Sequence, residues 1–506
     1  MIKTPGVLGS RAAPSEVLYA SIRHGQSQKF STDSRTRRKL HGSSARPSPP
    51  ADQLVASATP LINPIPVEVP GNSTPISTMP KSTPLSVLPL ATILRTLAST
   101  TISSSPLLLP PSLKIMSTLA HSNQAILNPD RNPMLRWFLK KTFYAQFCAG
   151  ENAAEVRHTV NGLKKIGFTG VLLGYAREVV LTEAQQRDLS SCGEGEAVEE
   201  CIRNEITPWK TGTMATIRLA SKGDFVSVKF SGAGRQALYA LKNRLPPSKP
   251  LAAAIEEVCE LAKELDVPLL IDAEQTAVQN GIDDWAMHYQ RRYNTTPGHA
   301  IIYNTYQAYL KATPLALTSH LDMASKEGFT LGVKLVRGAY LGSDPRHIIH
   351  DTKEDTDNAY DGIAASLITR RWGSVLKQHE AAFPPISIVL GSHNLESVCK
   401  ARAIRNSPAS AGTELAIAQL MGMADEVSCE LLGKKQDCEK SGLVEKGVCE
   451  APRAYKYIVW GTTKECMAYL LRRAHENKDA VQRTKAGRDA AWNEVKRRVW
   501  AKLGLV

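Results

Sequence analysis

Eight short, continuously apolar runs separated by helical patterns constrain this chain more than any other feature. They are Val171–Tyr175, Phe225–Phe230, Val267–Ala273, Ala300–Thr305, Leu331–Val336, Ile386–Leu390, Leu415–Leu420 and Tyr455–Trp460. Continuous rather than alternating hydrophobicity means burial on both faces, as parallel strands flanked by helices require. Most intervals hold a helical pattern, as at Leu251–Leu265, Pro314–Lys326 and Asp357–Ile368. Eight strand–helix units predict an α/β fold, a (β/α)8 TIM-type barrel rather than an open sheet. The 506 residues, 42% hydrophobic and 22% charged, are ample for one such core.

In a barrel of this kind the chemistry sits where the strands end. Those ends are polar here. The second run ends in Lys229, the third in Asp272-Ala273-Glu274, and the fourth in Asn304-Thr305-Tyr306-Gln307. The fifth continues from Lys334 into Arg337-Gly338-Ala339-Tyr340, the sixth ends in Ser392-His393-Asn394, and the seventh in Gln419-Leu420. After the eighth comes a helical pattern in which Tyr469, Arg472, Arg473 and Glu476 fall within an arc of roughly 100°. Two adjacent guanidiniums repel unless an anion lies against them, and the planar fork of Arg suits a bidentate carboxylate. The residues alone therefore predict a barrel enzyme acting on a small carboxylate.

The ends of the chain differ from its middle. Residues 1–50 carry nine Lys/Arg against Glu16 and Asp33, half of the net charge of +14, with no long apolar stretch. This pattern is expected of a disordered organelle transit region. A Pro/Ser/Thr-rich linker is expected over 51–87 and folded structure from 88, beginning with helices near Leu85–Leu97 and Leu107–Leu119. An aromatic, amphipathic helix is expected over Met134–Cys148, an acidic exposed stretch over Ser190–Ile206, and a mobile connection over Cys429–Pro452. Residues 481–506 form a basic amphipathic helix: Trp492, Val495, Val499 and Trp500 share a face that would lie on a membrane or dock on the barrel. With the positive charge concentrated in the targeting segment, no nucleic-acid partner is expected.

Three motifs are decoys. Gly232-Ala-Gly234-Arg-Gln-Ala237 matches the GxGxxA dinucleotide fingerprint, but the acid of the next strand lies 38 residues on instead of about 20. His347 and His350 lack zincin spacing, and no metal site is expected. The nine cysteines form no CxxC pair, which fits a reducing compartment.

Taken in order, Leu269-Leu-Ile-Asp-Ala-Glu-Gln-Thr276, Tyr303-Asn-Thr-Tyr-Gln307, Lys334-Leu-Val-Arg-Gly-Ala-Tyr340, Ser392-His-Asn394, Gln419-Leu-Met-Gly-Met423 and Tyr457…Gly461…Tyr469-Leu-Leu-Arg-Arg-Ala-His-Glu-Asn477 resemble proline dehydrogenase of the mitochondrial, fungal-like type. The likeness spans about residues 88–480. The resemblance implies a distorted barrel with an N-terminal helical region and FAD over its C-terminal face. It implies oxidation of L-proline to (S)-1-pyrroline-5-carboxylate, with electrons passed to ubiquinone at the matrix side of the inner mitochondrial membrane. By position, Lys229, Arg472 and Arg473 would hold the proline carboxylate, with Glu476 bracing the arginines, while Leu420, Tyr457 and Tyr469 wall the ring. Asp272 and Lys334 would be catalytic. Ala273, Asn304, Arg337, Gly338, Ala339, Ser392 and His393 would contact FAD. Competing expectations are oxidation of 4-hydroxyproline, disfavoured by the bulk of Tyr457, or an inactive basic scaffold that binds nucleic acid.

Overall fold

The computed structural model describes residues 83–122, 124–176, 196–377, 382–440, 451–476 and 481–504. The expected transit segment and nearly all of the expected linker lie outside these residues. All eight expected strands form: β2 (Gly170–Tyr175), β3 (Phe225–Val228), β4 (Leu269–Ile271), β5 (Ile302–Gln307), β6 (Leu331–Val336), β7 (Ile386–Gly391), β8 (Leu415–Leu420) and β9 (Arg453–Trp460). They pair in parallel and in sequence order, and β9 closes the ring by pairing with both β8 and β2. A short strand absent from the sequence expectation, β1 (Cys148–Gly150), lies outside the ring against β9.

Alternation along each strand sorts side chains between an interior plug and an outer layer. Leu172, Phe225, Leu270, Tyr303, Val389, Ala416 and Tyr455 fill the middle of the barrel. Phe225 meets Tyr303 and Tyr455 edge-on, with ring centroids 5.7 and 5.4 Å apart. The opposite faces of the same strands pack against the helices: Val333, Leu335, Ile388 and Leu390 with Leu317, Tyr360 and Leu367, and Val226, Leu269 and Ile271 with Ile255, Ile282 and Trp285.

The N-terminal region caps the barrel with helices Leu90–Ser104, Leu109–His121 and Pro133–Leu139, the last continuing through Lys140–Tyr144 and Ala145–Phe147 into β1. Packing begins slightly before the expected boundary, since Leu85 and Leu88 are buried with Ile93, Cys429 and Ala491. The C-terminal helix Val481–Lys502 docks along Leu90–Ser104. Its buried Glu494 accepts hydrogen bonds from Arg497 and Arg498 and from the Thr83 hydroxyl, and Arg498 caps the carbonyls of Ser86 and Leu88. Val495 packs inward, whereas Trp492, Val499 and Trp500 stay about half exposed.

Two expectations are overturned. The acidic stretch is only partly exposed: Arg203 and Asn204 are exposed but Cys201, Glu205 and Ile206 are buried, and 190–195 lie outside the described residues. Glu205 accepts from the Arg235 backbone N–H and from its Nε, both at 2.6 Å. The chain's own carboxylate thus occupies the helix N-terminus that follows the glycine-rich decoy, and a Cβ on Gly234, whose φ is +98°, would overlap it. The stretch from Cys429 is not an extended connection either; Asp425–Lys440 is a helix that buries Cys429, Leu431 and Leu432, while 441–450 lie outside the described residues.

Candidate active site

Directly above the apolar plug, two residues further along the strands, the interior becomes polar. Asp272 follows β4 and Lys334 lies in β6, and their side chains meet with Lys334 Nζ 2.6 Å from Asp272 Oδ1. Ser227 of β3 donates to the same oxygen at 2.6 Å. Burial alone would raise the Asp272 pKa. The Lys334 ammonium, then Lys229, and the hydrogen bonds from Lys334 and Ser227 outweigh that penalty and hold the carboxyl below its ordinary range. The site therefore keeps a fixed anion and a fixed cation side by side.

Tyr457 of β9 and Tyr469 of the Thr463–Glu476 helix complete this group. Burial pushes the Tyr457 hydroxyl well above its usual value, with Asp272 and Tyr469 adding to the rise and Lys229 opposing it. Tyr469 is pushed to about 12 by burial, against the pull of Arg473 and Lys229. The Arg473 guanidinium lies 5.6 Å from the Tyr469 ring centroid, and Lys334 Nζ lies 5.6 Å from that of Tyr457. Gly174 of β2 makes room for the Tyr457 ring, because a Cβ there would stand 2.9 Å from its hydroxyl. Lys229, Asp272, Lys334, Tyr457, Tyr469 and Arg473 are thus brought to one place. Arg472 sits beside Arg473 on the helix, half-buried. Glu476 ends that helix, and its side chain lies outside what is described.

The helix carrying the arginines is aimed by its N-terminus. Thr462 and Glu465 form a reciprocal capping pair, at 2.9 and 3.2 Å. Glu151, just past β1, accepts from the Thr463 N–H and hydroxyl, and Lys140 holds Glu151 in turn. Tyr144 adds a hydrogen bond to the Gly461 carbonyl at 2.9 Å.

A second group gathers at the ends of β6 and β7. Arg337 pairs with Asp357, donates to Ser397 Oγ at 2.6 Å and lies 4.7 Å over the Tyr360 ring. Its Nε is buried with no hydrogen-bond partner. Ser392 Oγ accepts from the Asn394 N–H, and Asn394 caps the Leu395–Arg405 helix. His393 Nε2 accepts from the Leu420 N–H at 3.1 Å, tying the expected substrate wall to the end of β7. A guanidinium with a spare donor beside a capped helix N-terminus is a donor set suited to a diphosphate-bearing cofactor. Gly338 has φ +151°, and a Cβ there would overlap the Tyr309 ring. Ala339 donates its N–H to Gln307 Oε1 at 3.1 Å, and the Ala273 carbonyl accepts from the Tyr340 hydroxyl at 3.4 Å.

Asn304 is the exception. Its side chain turns to the outer layer and donates to Asp283 of the Thr276–Tyr293 helix at 2.8 Å. Tyr303 lies in the interior plug, so the inward positions of β5 are 303, 305 and 307, and Gln307 rather than Asn304 reaches the cofactor-side loops. Ser227 and Glu274 were not singled out as site residues, although both border the ion pair. Glu274 is buried and accepts from the backbone and hydroxyl of Ser231. Their alternation with Phe225 and Asp272 was the available signal. Among the described residues no cluster of three or more His, Cys, Asp or Glu is placed to hold a metal ion.

Known proteins show the same arrangement of sequence and fold. A protein of Schizosaccharomyces pombe named probable proline dehydrogenase, mitochondrial, is 28% identical over 409 residues, 72% of this chain and 80% of that one. A mouse hydroxyproline dehydrogenase is 27% identical over 376 residues, 68% of this chain and 79% of that one. The crystal structure of proline utilization A from Bdellovibrio bacteriovorus, inactivated by N-propargylglycine, superposes with a TM-score of 0.53 at 17% identity. It covers 76% of this chain and 38% of the larger protein, and shows the barrel fold. The proline dehydrogenase family model matches residues 156–486, from the helix before β2 through the arginine helix. By a match of that extent, well over half its length, this chain belongs to the proline dehydrogenase family.

Proposed function

We propose that this protein oxidises L-proline to (S)-1-pyrroline-5-carboxylate with FAD over the barrel mouth. Ubiquinone is the electron acceptor, and the site of action is the matrix face of the inner mitochondrial membrane. The observation that carries the reading is the convergence of Lys229, Arg473 and Tyr469 with the Lys334–Asp272 pair on one end of the barrel. When bound, FAD supplies the acceptor for the hydrogen and electron pair leaving the ring carbon next to nitrogen.

The residues divide the remaining work. Arg472, Arg473 and Lys229 bind the substrate carboxylate, fixing which ring carbon faces the cofactor. Tyr457, Tyr469 and Leu420 enclose the apolar ring and exclude water. Lys334, held in place by Asp272, puts a cation where negative charge builds on the acceptor. Arg337, Ser392, His393, Gly338, Ala339 and Ala273 form the cofactor side, with Gln307 bracing Ala339. Substrate nitrogen must be unprotonated for its lone pair to assist C–H cleavage, so turnover rises between about pH 6 and 8 at saturating acceptor.

Anaerobic addition of L-proline to the purified yellow protein should bleach its flavin absorbance. A colourless preparation, or one that proline leaves yellow, sinks this reading and favours the inactive scaffold. The mouse relative supports a second substrate, 4-hydroxyproline. The bulky Tyr457 ring, partly buried and set against Gly174, leaves little room for an added hydroxyl. Proline should therefore be the better substrate, and a higher kcat/KM for 4-hydroxyproline reverses the assignment.

A further inference from the structure

The N-terminal cap breaks the usual distribution of apolar side chains. On the Pro133–Leu139 helix, Leu135 and Leu139 pack inward on Tyr144, Met467 and Leu470. On the outer face, Met134, Trp137, Phe138 and Lys141 recur at helical spacing i, i+3, i+4 and i+7, and the three apolar ones are 81%, 64% and 55% exposed. The preceding helix repeats the pattern. Met116, Leu119 and Ala120 are buried, while Ile115 is 61% exposed and Leu107, in the turn before the helix, 84%. Large apolar side chains gathered on an exposed face mark a protein–protein or membrane interaction surface.

Charge separates the candidates for what covers this face. Between Leu107 and Lys141 the chain has five Lys/Arg and one acid, Asp130. Lys140 is engaged by Glu151 and Glu155, whereas Lys114, Arg131, Arg136 and Lys141 are exposed around the apolar side chains. Asp130 accepts a backbone N–H from Lys464. A second copy docked through the same face would set cations against cations. An anionic lipid surface meets both features at once: large apolar side chains enter the headgroup–acyl boundary and the cations meet lipid phosphates. No helix among the described residues is long and apolar enough to cross a membrane, so such attachment would be peripheral.

We infer that the face from Leu107 to Lys141 seats this protein on an anionic lipid surface, with Met134, Trp137 and Phe138 inserted. The C-terminal helix, for which the sequence left open either a membrane surface or docking on the protein, is fastened to Leu90–Ser104 through Glu494, Arg498 and Ala491. The Leu109–His121 helix packs along the arginine helix Thr463–Glu476. The substrate side of the barrel is then about one helix diameter, ~10 Å, from lipid. This last consequence rests on the proposed function; the lipid contact does not.

Vesicle sedimentation of the full chain tests it. The protein should pellet with phosphatidylcholine vesicles containing phosphatidylglycerol, pellet poorly with phosphatidylcholine alone, and release as salt is raised. Trp137→Glu with Phe138→Glu should reduce partitioning at least about tenfold. That variant should keep its circular dichroism and its proline-dependent reduction of a water-soluble dye. Trp492→Ser with Trp500→Ser should leave partitioning unchanged. Wild-type protein that stays in solution overturns the inference, as does loss of binding from the C-terminal pair instead. Self-association abolished by the Trp137/Phe138 variant, without vesicle binding, assigns the face to a second copy and also overturns it. Vesicle binding by a protein inert toward proline would defeat the proposed activity and leave the lipid surface standing.

Discussion

Replacing Asp272 with Asn removes the counter-charge of Lys334 while leaving an oxygen to accept from Lys334 and Ser227. The side chains of Lys334 and Asp272 are only 9% and 13% exposed, so the exposed-pair figure of under ~1 kcal/mol does not apply. At 2.6 Å and an effective dielectric of ~20 the attraction is about 6 kcal/mol, much of it offset by the desolvation of both ions. Breaking a buried pair by removing one partner costs about 3–5 kcal/mol, and the retained hydrogen bonds place Asp272→Asn near ~3 kcal/mol. The double variant Asp272→Asn/Lys334→Met should recover much of that loss, because no unpaired charge remains. The assay is urea unfolding of flavin-stripped protein at pH 7, since a bound ligand would add its own stabilisation. Coincident fluorescence and circular-dichroism transitions license the comparison. Because the folded pKa of Asp272 is depressed, its contribution is fully present above the unfolded value of ~3.9 and is lost as pH falls through the lower folded value. The wild-type advantage should thus be level from pH 8 to 5 and shrink below about pH 4. An Asp272→Asn variant that unfolds at the wild-type midpoint, or a double variant no more stable than the single, refutes the charge pair.

Arg473→Ala should raise the KM for proline by an amount corresponding to about 2–5 kcal/mol while flavin content stays constant, read by steady-state kinetics and absorbance. Gly174→Ala presses a Cβ against the Tyr457 hydroxyl and should raise KM for proline, with unfolding shifted by only about 1–3 kcal/mol. Lys456→Met leaves Asp425 buried without its cation, which bonds it at 2.8 Å, and should lower stability by about 3–5 kcal/mol in the same urea assay. Burial opposes ionisation of Glu494, but Arg497, Thr83 and Arg498 hold its pKa down at about 2. Docking of the C-terminal helix should therefore be firm above about pH 4.5 and weaken as pH falls toward 2, and Glu494→Gln should speed its hydrogen exchange at neutral pH.

The barrel was legible because its strands are buried on both faces, which leaves an uninterrupted apolar run and a polar residue where burial ends. The same continuity hid which side of a strand faces inward. Asn304 and Gln307 both stand near the end of β5, and only the alternation set by Tyr303 in the plug tells that Gln307 faces the mouth. Lys229, Asp272, Lys334 and the Tyr469–Arg473 stretch could be found from position alone, since inward-facing residues at the strand ends and on the helix after β9 converge on the mouth. Glu205 and the Asp425–Lys440 helix were misjudged for a different reason. Their acids and lysines read as solvated, whereas Arg235 and Lys456 from distant segments neutralise the buried ones. Partners of that kind are not encoded in local composition.

Those distant partners also explain how the cap and the site hold each other in place. Leu420 is gripped at both ends of its peptide: its N–H by His393, and its carbonyl by Lys456 at 3.5 Å. Lys456 also binds the Met423 carbonyl and Asp425, turning outward between Tyr455 of the plug and Tyr457 of the site. Asp425 accepts from Thr96 of the first cap helix, and Thr96 accepts from Gln146, just before β1. The links from Lys456 to Asp425, Asp425 to Thr96 and Thr96 to Gln146 are buried, so none of these can be given up to water without leaving an unpaired polar group. A shift of the cap is thereby resisted by the same lysine that fixes Leu420, the proposed wall of the substrate ring. Seating the cap on lipid would accordingly load the rigid side of the barrel, and leave the mouth to be ordered by what binds there.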